Sequence, residues 1–131
     1  MPLDHASPAV TIARAHVQAW SNHDFDTARD LLALDVRVTS TTTQPIMKDV
    51  DTVGIEEYMT GLKEFAQTVA PGSAEVIACV GDDRNALLLV TVQAVFGPAE
   101  AKITLPAARL YLLDDDNKIK SEQVIFYAAA A

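Results

Sequence analysis

At 131 residues, half of them hydrophobic and 21% charged, the chain has the composition of one globular domain that can bury a core without disulfide or metal staples. A net charge of −8, with ten basic residues scattered along the sequence, opposes binding to nucleic-acid phosphates or anionic lipid and otherwise favours solubility. The apolar run at residues 86–90 is far short of the roughly 20 residues a membrane span requires. The opening Met1-Pro2-Leu3-Asp4-His5 lacks the basic and apolar regions of a signal peptide, and the single Cys79 excludes an internal disulfide, so a reducing cytoplasm is expected.

In chain order, Ser7-Pro8 reads as an N-cap followed by proline at the first helical position. Val10, Ala13, Val17 and Trp20 then recur at spacings of three and four, giving one apolar helical face. A polar hinge, Ser21-Asn22-His23-Asp24, leads to a second helix whose inward stripe is Phe25, Ala28, Leu31 and Leu32. Residues 36–41 form a strand, and residues 42–51 form the one irregular stretch long enough to act as a lid. A third helix starts near residues 52–54, carries Ile55, Tyr58, Met59, Leu62, Phe65, Ala66 and Val69 inward, and stops at Pro71-Gly72.

The period then changes to alternation. Residues 74–80, 85–96, 101–113 and 119–127 are rich in Val, Ile, Leu and Thr, and Gly/Asp/Asn/Pro clusters separate them, so these strands pair antiparallel. Pro106 predicts an edge, bulge or bend within its strand. Three helices before a curved antiparallel or mixed sheet make an α+β domain, with one sheet face wrapping the helices. For one choice of register, Leu88, Val90, Val92, Leu110, Leu112 and Val124 make the opposite face apolar too, which predicts a homodimer packed through it.

The stretches Val17-Gln18-Ala19-Trp20-Ser21-Asn22-His23-Asp24-Phe25-Asp26, Leu31-Leu32-Ala33-Leu34-Asp35-Val36-Arg37-Val38, Gly54-Ile55-Glu56-Glu57-Tyr58-Met59 and the strand from Lys118 to Phe126 carry a resemblance. The chain resembles the SnoaL-like branch of the nuclear transport factor 2-like superfamily over essentially its whole length. The resemblance implies a cone-like α+β fold. It leaves the activity open among ketosteroid isomerases, polyketide cyclases, epoxide hydrolases, dehydratases and proteins that only bind or dimerise. By analogy with the ketosteroid isomerases, whose site works by setting the pKa values of its carboxyl groups apart, a tyrosine, an aspartic acid and a basic aspartate would fall on His16, Arg109 and Ser40. None of the three is kept, so that isomerase mechanism is not implied. By analogy with the epoxide hydrolases, Arg109 takes the arginine's place, but Ala107 and Tyr111 stand where a flanking acid is needed.

His16 lies one turn before Trp20 on the flank of the apolar face, and its imidazole exchanges protons near neutral pH without special tuning. Two readings stay open, a ligand or catalytic group and a histidine satisfied at the core's edge. Arg109, with Leu105, Ala107, Tyr111 and Leu113 on one strand face, either holds a ligand oxygen or pairs with Glu122 placed directly opposite across the hairpin. Ser40, in the Thr39–Thr43 hydroxyl run, either meets a ligand oxygen or supports its strand. Trp20, Met59, Phe65, Tyr111 and Phe126 are wall and core, with Tyr58 able to donate a hydrogen bond inside. His5, His23 and Cys79 give no zinc spacing, and the aspartate runs at 82–83 and 114–116 are turns lacking a calcium loop's spaced ligands. No metal and no cofactor are expected.

The sequence thus predicts an apolar pocket for a small lipophilic, carbonyl-bearing molecule. The chemistry would be cofactor-free acid–base work of cyclase, isomerase or hydratase type, with His16 moving the proton and Arg109 and Tyr58 holding the oxyanion. Its rival is a non-catalytic ligand-binding or dimerisation module, favoured by the missing carboxylate at the base position. A third reading fills the interior with side chains and makes the outer sheet face the working surface.

Overall fold

The structure, a computed structural model, describes residues 7–42, 49–96 and 100–127. Its elements run α1 (Pro8–Ser21), α2 (Phe25–Asp30), β1 (Leu32–Thr42), β2 (Val50–Val53), α3 (Ile55–Gln67), β3 (Glu75–Gly81), β4 (Asn85–Phe96), β5 (Ala101–Leu113) and β6 (Ile119–Phe126). The six strands form one curved, unclosed sheet in the order β2-β1-β6-β5-β4-β3, with the helices against its inner face.

Local chemistry sets the element ends. Ser7 accepts from the Val10 amide with Pro8 in the first turn, and Asp24 accepts from the Thr27 amide to start α2. At the β5–β6 turn, Asp114 Oδ1 accepts from the amides of Asp116 and Lys118, and Asn117 takes the left-handed conformation that its residue type tolerates. Both aspartate runs are therefore turns: Asp82 Oδ1 likewise accepts from the Arg84 and Asn85 amides.

The β3–β4, β4–β5 and β5–β6 pairs are antiparallel as expected, whereas β1 pairs β6 in parallel, so the sheet is mixed. Pro106 lies just beyond the β5–β6 ladder, which begins at Ala107↔Phe126, and its carbonyl still accepts from the Tyr127 amide at 3.3 Å.

Three sequence expectations need correction. Leu32 opens β1 instead of extending the second helical stripe, because Leu31 already caps α2. Residues 50–53 form β2 antiparallel to β1, where the sequence suggested the end of a loop and the start of the third helix. Of the expected lid, residues 43–48 lie outside the described residues. Leu88, Val90, Val92 and Val124 are buried on the inner face, so the set expected outside mixes the two faces. The outer face is apolar through Leu110 and Leu112 of that set together with Leu87, Leu89 and Ile125: Leu110 and Ile125 are 43% and 49% exposed, and the others are half-buried beside them.

The core lies between α1 and the sheet's inner face, where Val10, Val17, Trp20, Leu88, Leu105, Leu113 and Ile119 are buried. Each such side chain contributes about 1.5–3 kcal/mol by leaving water. Toward α3 the packing gives way to a polar interior.

Candidate active site

Register across four strands builds the floor of the site. Thr52, Val38, Glu122 and Tyr111 form one row over β2, β1, β6 and β5, and Val50, Ser40, Val124 and Arg109 form the next. Above these rows α3 presents Tyr58, Leu62 and Phe65, and a cavity of about 450 Å³ lies between helix and sheet. Its walls are mainly Val38, Leu62, Phe65, Val124 and Phe126, and Glu57 and Glu64 stand exposed at its rim. A second hollow of similar volume, walled by Arg29, Asp30, Asp35, Asp114, Asp116 and Lys118 among others, is reached by none of the buried polar side chains.

The polar interior is a continuous network. His16, Arg109 and Glu122 are 0%, 4% and 3% exposed. Tyr58 donates to Glu122 Oε1 at 2.6 Å, and Arg109 Nη1 donates to Glu122 Oε2 at 3.3 Å, so both carboxylate oxygens are engaged. His16 Nε2 lies 3.2 Å from Tyr58 Oη, and His16 Nδ1 lies 3.4 Å from Tyr111 Oη. With the Tyr58 hydroxyl proton directed at Glu122, the neutral imidazole donates from Nε2 to Tyr58 and presents its Nδ1 lone pair to Tyr111. The Arg109 guanidinium sits over the Trp20 ring at 4.8 Å, with Phe65 and Phe126 at 5.9 and 6.0 Å.

Three buried polar atoms, Arg109 Nε, Trp20 Nε1 and Thr52 Oγ1, have no hydrogen-bond partner among the described residues. Of these residues, Arg109 and Thr52 line the cavity.

Burial and neighbouring charge set the protonation states. Burial lowers the His16 pKa to about 4, against the opposing pull of Glu122, so the imidazole is neutral at pH 7. Burial alone would raise Glu122, but the adjacent Arg109 charge and the tyrosine hydroxyls outweigh it and hold the carboxylate below its ordinary value. Glu122 is thus ionised and Arg109 charged, and their charges cancel. Burial and the Glu122 charge drive Tyr58 well above the ordinary tyrosine value, so it acts as a hydrogen-bond donor and not as an acid.

Of the residues singled out from sequence, Ser40, Tyr58, Phe65, Arg109, Glu122 and Phe126 line the cavity. His16 and Tyr111 stand behind Tyr58 and Glu122, Trp20 lies under the guanidinium, and Met59 is buried in the core. Arg109 and Glu122 do pair, but diagonally. An irregularity between Leu112 and Leu113 shifts the register so that Arg109 faces Val124 and Glu122 faces Tyr111. Sequence reasoning missed Thr52, Val38 and Val124 as lining residues. For Thr52 no local signal was available, because Val50-Asp51-Thr52-Val53 does not alternate and becomes a strand by pairing with β1. Glu122 places a carboxylate beside Arg109 from the neighbouring strand.

The sequence pattern of the SnoaL-like domain matches residues 13–122. The chain belongs to the SnoaL-like family. No curated protein matches this SnoaL-like chain in sequence. Among solved structures, a protein of Kribbella flavida DSM 17836 is similar at 24% identity, covering 94% of this chain and 88% of its own, with a TM-score of 0.71. An LEH-like epoxide hydrolase of M. tuberculosis is similar at 19% identity, 91% and 82% coverage and a TM-score of 0.68. A Shewanella putrefaciens CN-32 protein described as a candidate SnoaL-like polyketide cyclase is similar at 16% identity, 96% and 80% coverage and a TM-score of 0.73. At these identities the likeness is one of fold, and the reaction has to be argued from this chain's own side chains. No group of three His, Cys, Asp or Glu side chains that could hold a metal occurs among the described residues, and no described helix is long and apolar enough to cross a membrane.

Proposed function

We propose that this SnoaL-like protein receives a small lipophilic carbonyl compound in the cavity under α3 and turns it over by cofactor-free acid–base chemistry. The observation carrying this reading is the buried Arg109–Glu122 pair at the floor of an otherwise mostly apolar hollow. Arg109, which lines the cavity, supplies a guanidinium donor for a carbonyl oxygen. Glu122 takes the α-proton, the C–H electron pair becomes an enolate, and its oxygen stays on Arg109. Return of the proton to another carbon completes an isomerisation; attack of the enolate carbon on a second carbonyl, whose oxygen receives the electron pair and takes the proton back from Glu122, completes a cyclisation. Glu122 replaces His16 as the proton carrier because the imidazole is a weak base and sits behind Tyr58. A carboxylate held this acidic ionises only activated C–H bonds, such as those between two carbonyls. A ligand oxygen that draws Arg109 away raises its basicity.

A panel of cyclic ketones and 1,3-dicarbonyls in D₂O, followed by NMR for α-deuteration, tests this. Wild type should exchange at least one panel member above buffer, and Glu122→Gln should slow that exchange about 100-fold or more. No exchange by wild type overturns the catalytic reading. Binding without exchange instead supports the second reading, a ligand-binding module, which the full engagement of both Glu122 oxygens favours.

The proposal includes a homodimer through the outer sheet face around Leu110 and Ile125, and a cytoplasmic setting in keeping with the single cysteine.

A further inference from the structure

From the wall that α3 gives the cavity, we infer that Gly61 keeps the cavity mouth open, so that the outer end of a ligand lies over it and the side-chain volume at this position decides how large a ligand the site admits. The inference rests on the cavity being a ligand site, and it adds a size-determining residue to that reading.

Two stripes of α3 line the cavity. Tyr58 and Leu62, both buried, and the half-buried Phe65 face its interior, while Glu57, Gly61 and Glu64 line it and are exposed. Spacings of four and three put these last three on one line along the helix. Residues that both line a hollow and meet solvent mark where the hollow opens. The mouth therefore runs along that line, with the exposed Val50 of β2 also on its rim.

Gly61 stands between the two carboxylates and in the middle of a 13-residue helix. Glycine is the poorest helix former after proline, because it loses the most backbone freedom on ordering. Nothing in the fold compels it here. Its backbone is right-handed, the left-handed glycines among the described residues being Gly54 and Gly72. Beyond its own helical backbone and chain neighbours, a Cβ built on Gly61 would meet no atom within 4 Å, whereas at Gly81 it would collide. Helix stability is thus given up at a position that neither turn geometry nor close packing requires, and the position borders the cavity mouth. About 10 Å of helix axis separates Glu57 from Glu64, and the missing side chain leaves a gap between them. Any side chain at 61 would project into that gap.

The probe is 6-propionyl-2-(dimethylamino)naphthalene, an uncharged lipophilic ketone whose fluorescence shifts to the blue in apolar surroundings. Wild type should give a saturable blue-shifted emission that survives Leu110→Lys, Ile125→Lys, a pair of changes on the outer sheet face. Gly61→Leu and Gly61→Gln add no charge, and each should weaken binding about tenfold or more by crowding the volume the probe occupies. Gly61→Ala should weaken it less and raise the urea midpoint, because alanine is the better helix former. Thr60→Leu, exposed on α3 and outside the cavity lining, should bind as wild type does. Unchanged affinity in both Gly61→Leu and Gly61→Gln, or an equal loss in Thr60→Leu, overturns the role of Gly61 and leaves the cavity reading standing. So does a urea midpoint lowered by Gly61→Ala, which would mean that packing requires the glycine. No saturable binding by wild type, or its abolition by the outer-face changes, overturns the cavity as a ketone site and this inference with it.

Discussion

Burial of His16 makes a quantitative demand on acid stability. The folded imidazole titrates at about 4 against 6.5 when free, because burial penalises its cation more than the nearby Glu122 favours it. The folded pKa is below the unfolded one, so as pH falls the unfolded chain takes up the proton first. Stability is therefore full above about pH 6.5 and declines as pH drops toward 4, by about 1.4 kcal/mol per pH unit and about 3 kcal/mol in total. Glu122 and the exposed Asp51, Glu56 and Asp82 are also held below their ordinary values, but their losses begin near pH 4.5. His16→Gln separates the two effects, since glutamine retains a donor for Tyr58 and cannot titrate. Urea unfolding of both proteins at half-unit steps from pH 7.5 to 4.5 should show wild type losing roughly 2–3 kcal/mol more than the variant. Parallel profiles for the two proteins would refute a neutral buried imidazole, and with it the donor direction assigned from Nε2 to Tyr58.

Two further expectations concern packing and assembly. A Cβ added at Gly81 would lie 2.7 Å from Val10 Cγ2 and 2.6 Å from the Asn85 carbonyl oxygen, so Gly81→Ala forces α1 away from the β3–β4 turn. That substitution should cost about 1–3 kcal/mol in denaturant unfolding, and an unchanged midpoint would refute the close approach. The double variant Leu110→Lys, Ile125→Lys places charge on the outer sheet face. It should convert a dimer to a monomer in sedimentation velocity with secondary structure intact, whereas a monomeric wild type would remove the homodimer from the proposal.

What the sequence disclosed and what it hid divide along the range of the interactions involved. Ser7-Pro8, Asp24 and the Asp114–Asn117 turn were legible because each is decided within four residues, by a side chain meeting an amide nearby. β2 was not, since four residues become a strand there only through pairing with β1. The two sheet faces were confused because Leu87, Leu88 and Leu89 are apolar at both parities, so alternation carries no sign along that stretch. The nearness of Arg109 and Glu122 was readable from the hairpin, but the one-residue shift beside Leu113, which sets Arg109 opposite Val124 instead of Gln123 and so brings it to the face of Glu122, was not. His16 and Glu122 join one network through Tyr58, a convergence that no local pattern encodes.

Stability alone gives little reason for the polar interior. Exchanging a buried ion pair for apolar side chains of similar volume is often neutral or favourable by about 1–4 kcal/mol. The single 3.3 Å Arg109–Glu122 contact lacks the two-pronged geometry that makes such pairs strong. Trp20, Phe65 and Phe126 offset part of the cost through the guanidinium, yet the same rings would pack as well against methionine or leucine. Arg109 also leaves its Nε without a partner among the described residues, a loss that a core built only for folding would avoid. What the pair provides is a polar floor of zero net charge beneath apolar walls, braced by Tyr58, His16 and Tyr111 so that the carboxylate and guanidinium keep fixed orientations. On the proposed reading, such a floor would orient a carbonyl compound at one end of the hollow. The cost in stability and the gain in orientation fall on the same few atoms, and that coincidence is the physical ground for placing the chemistry there.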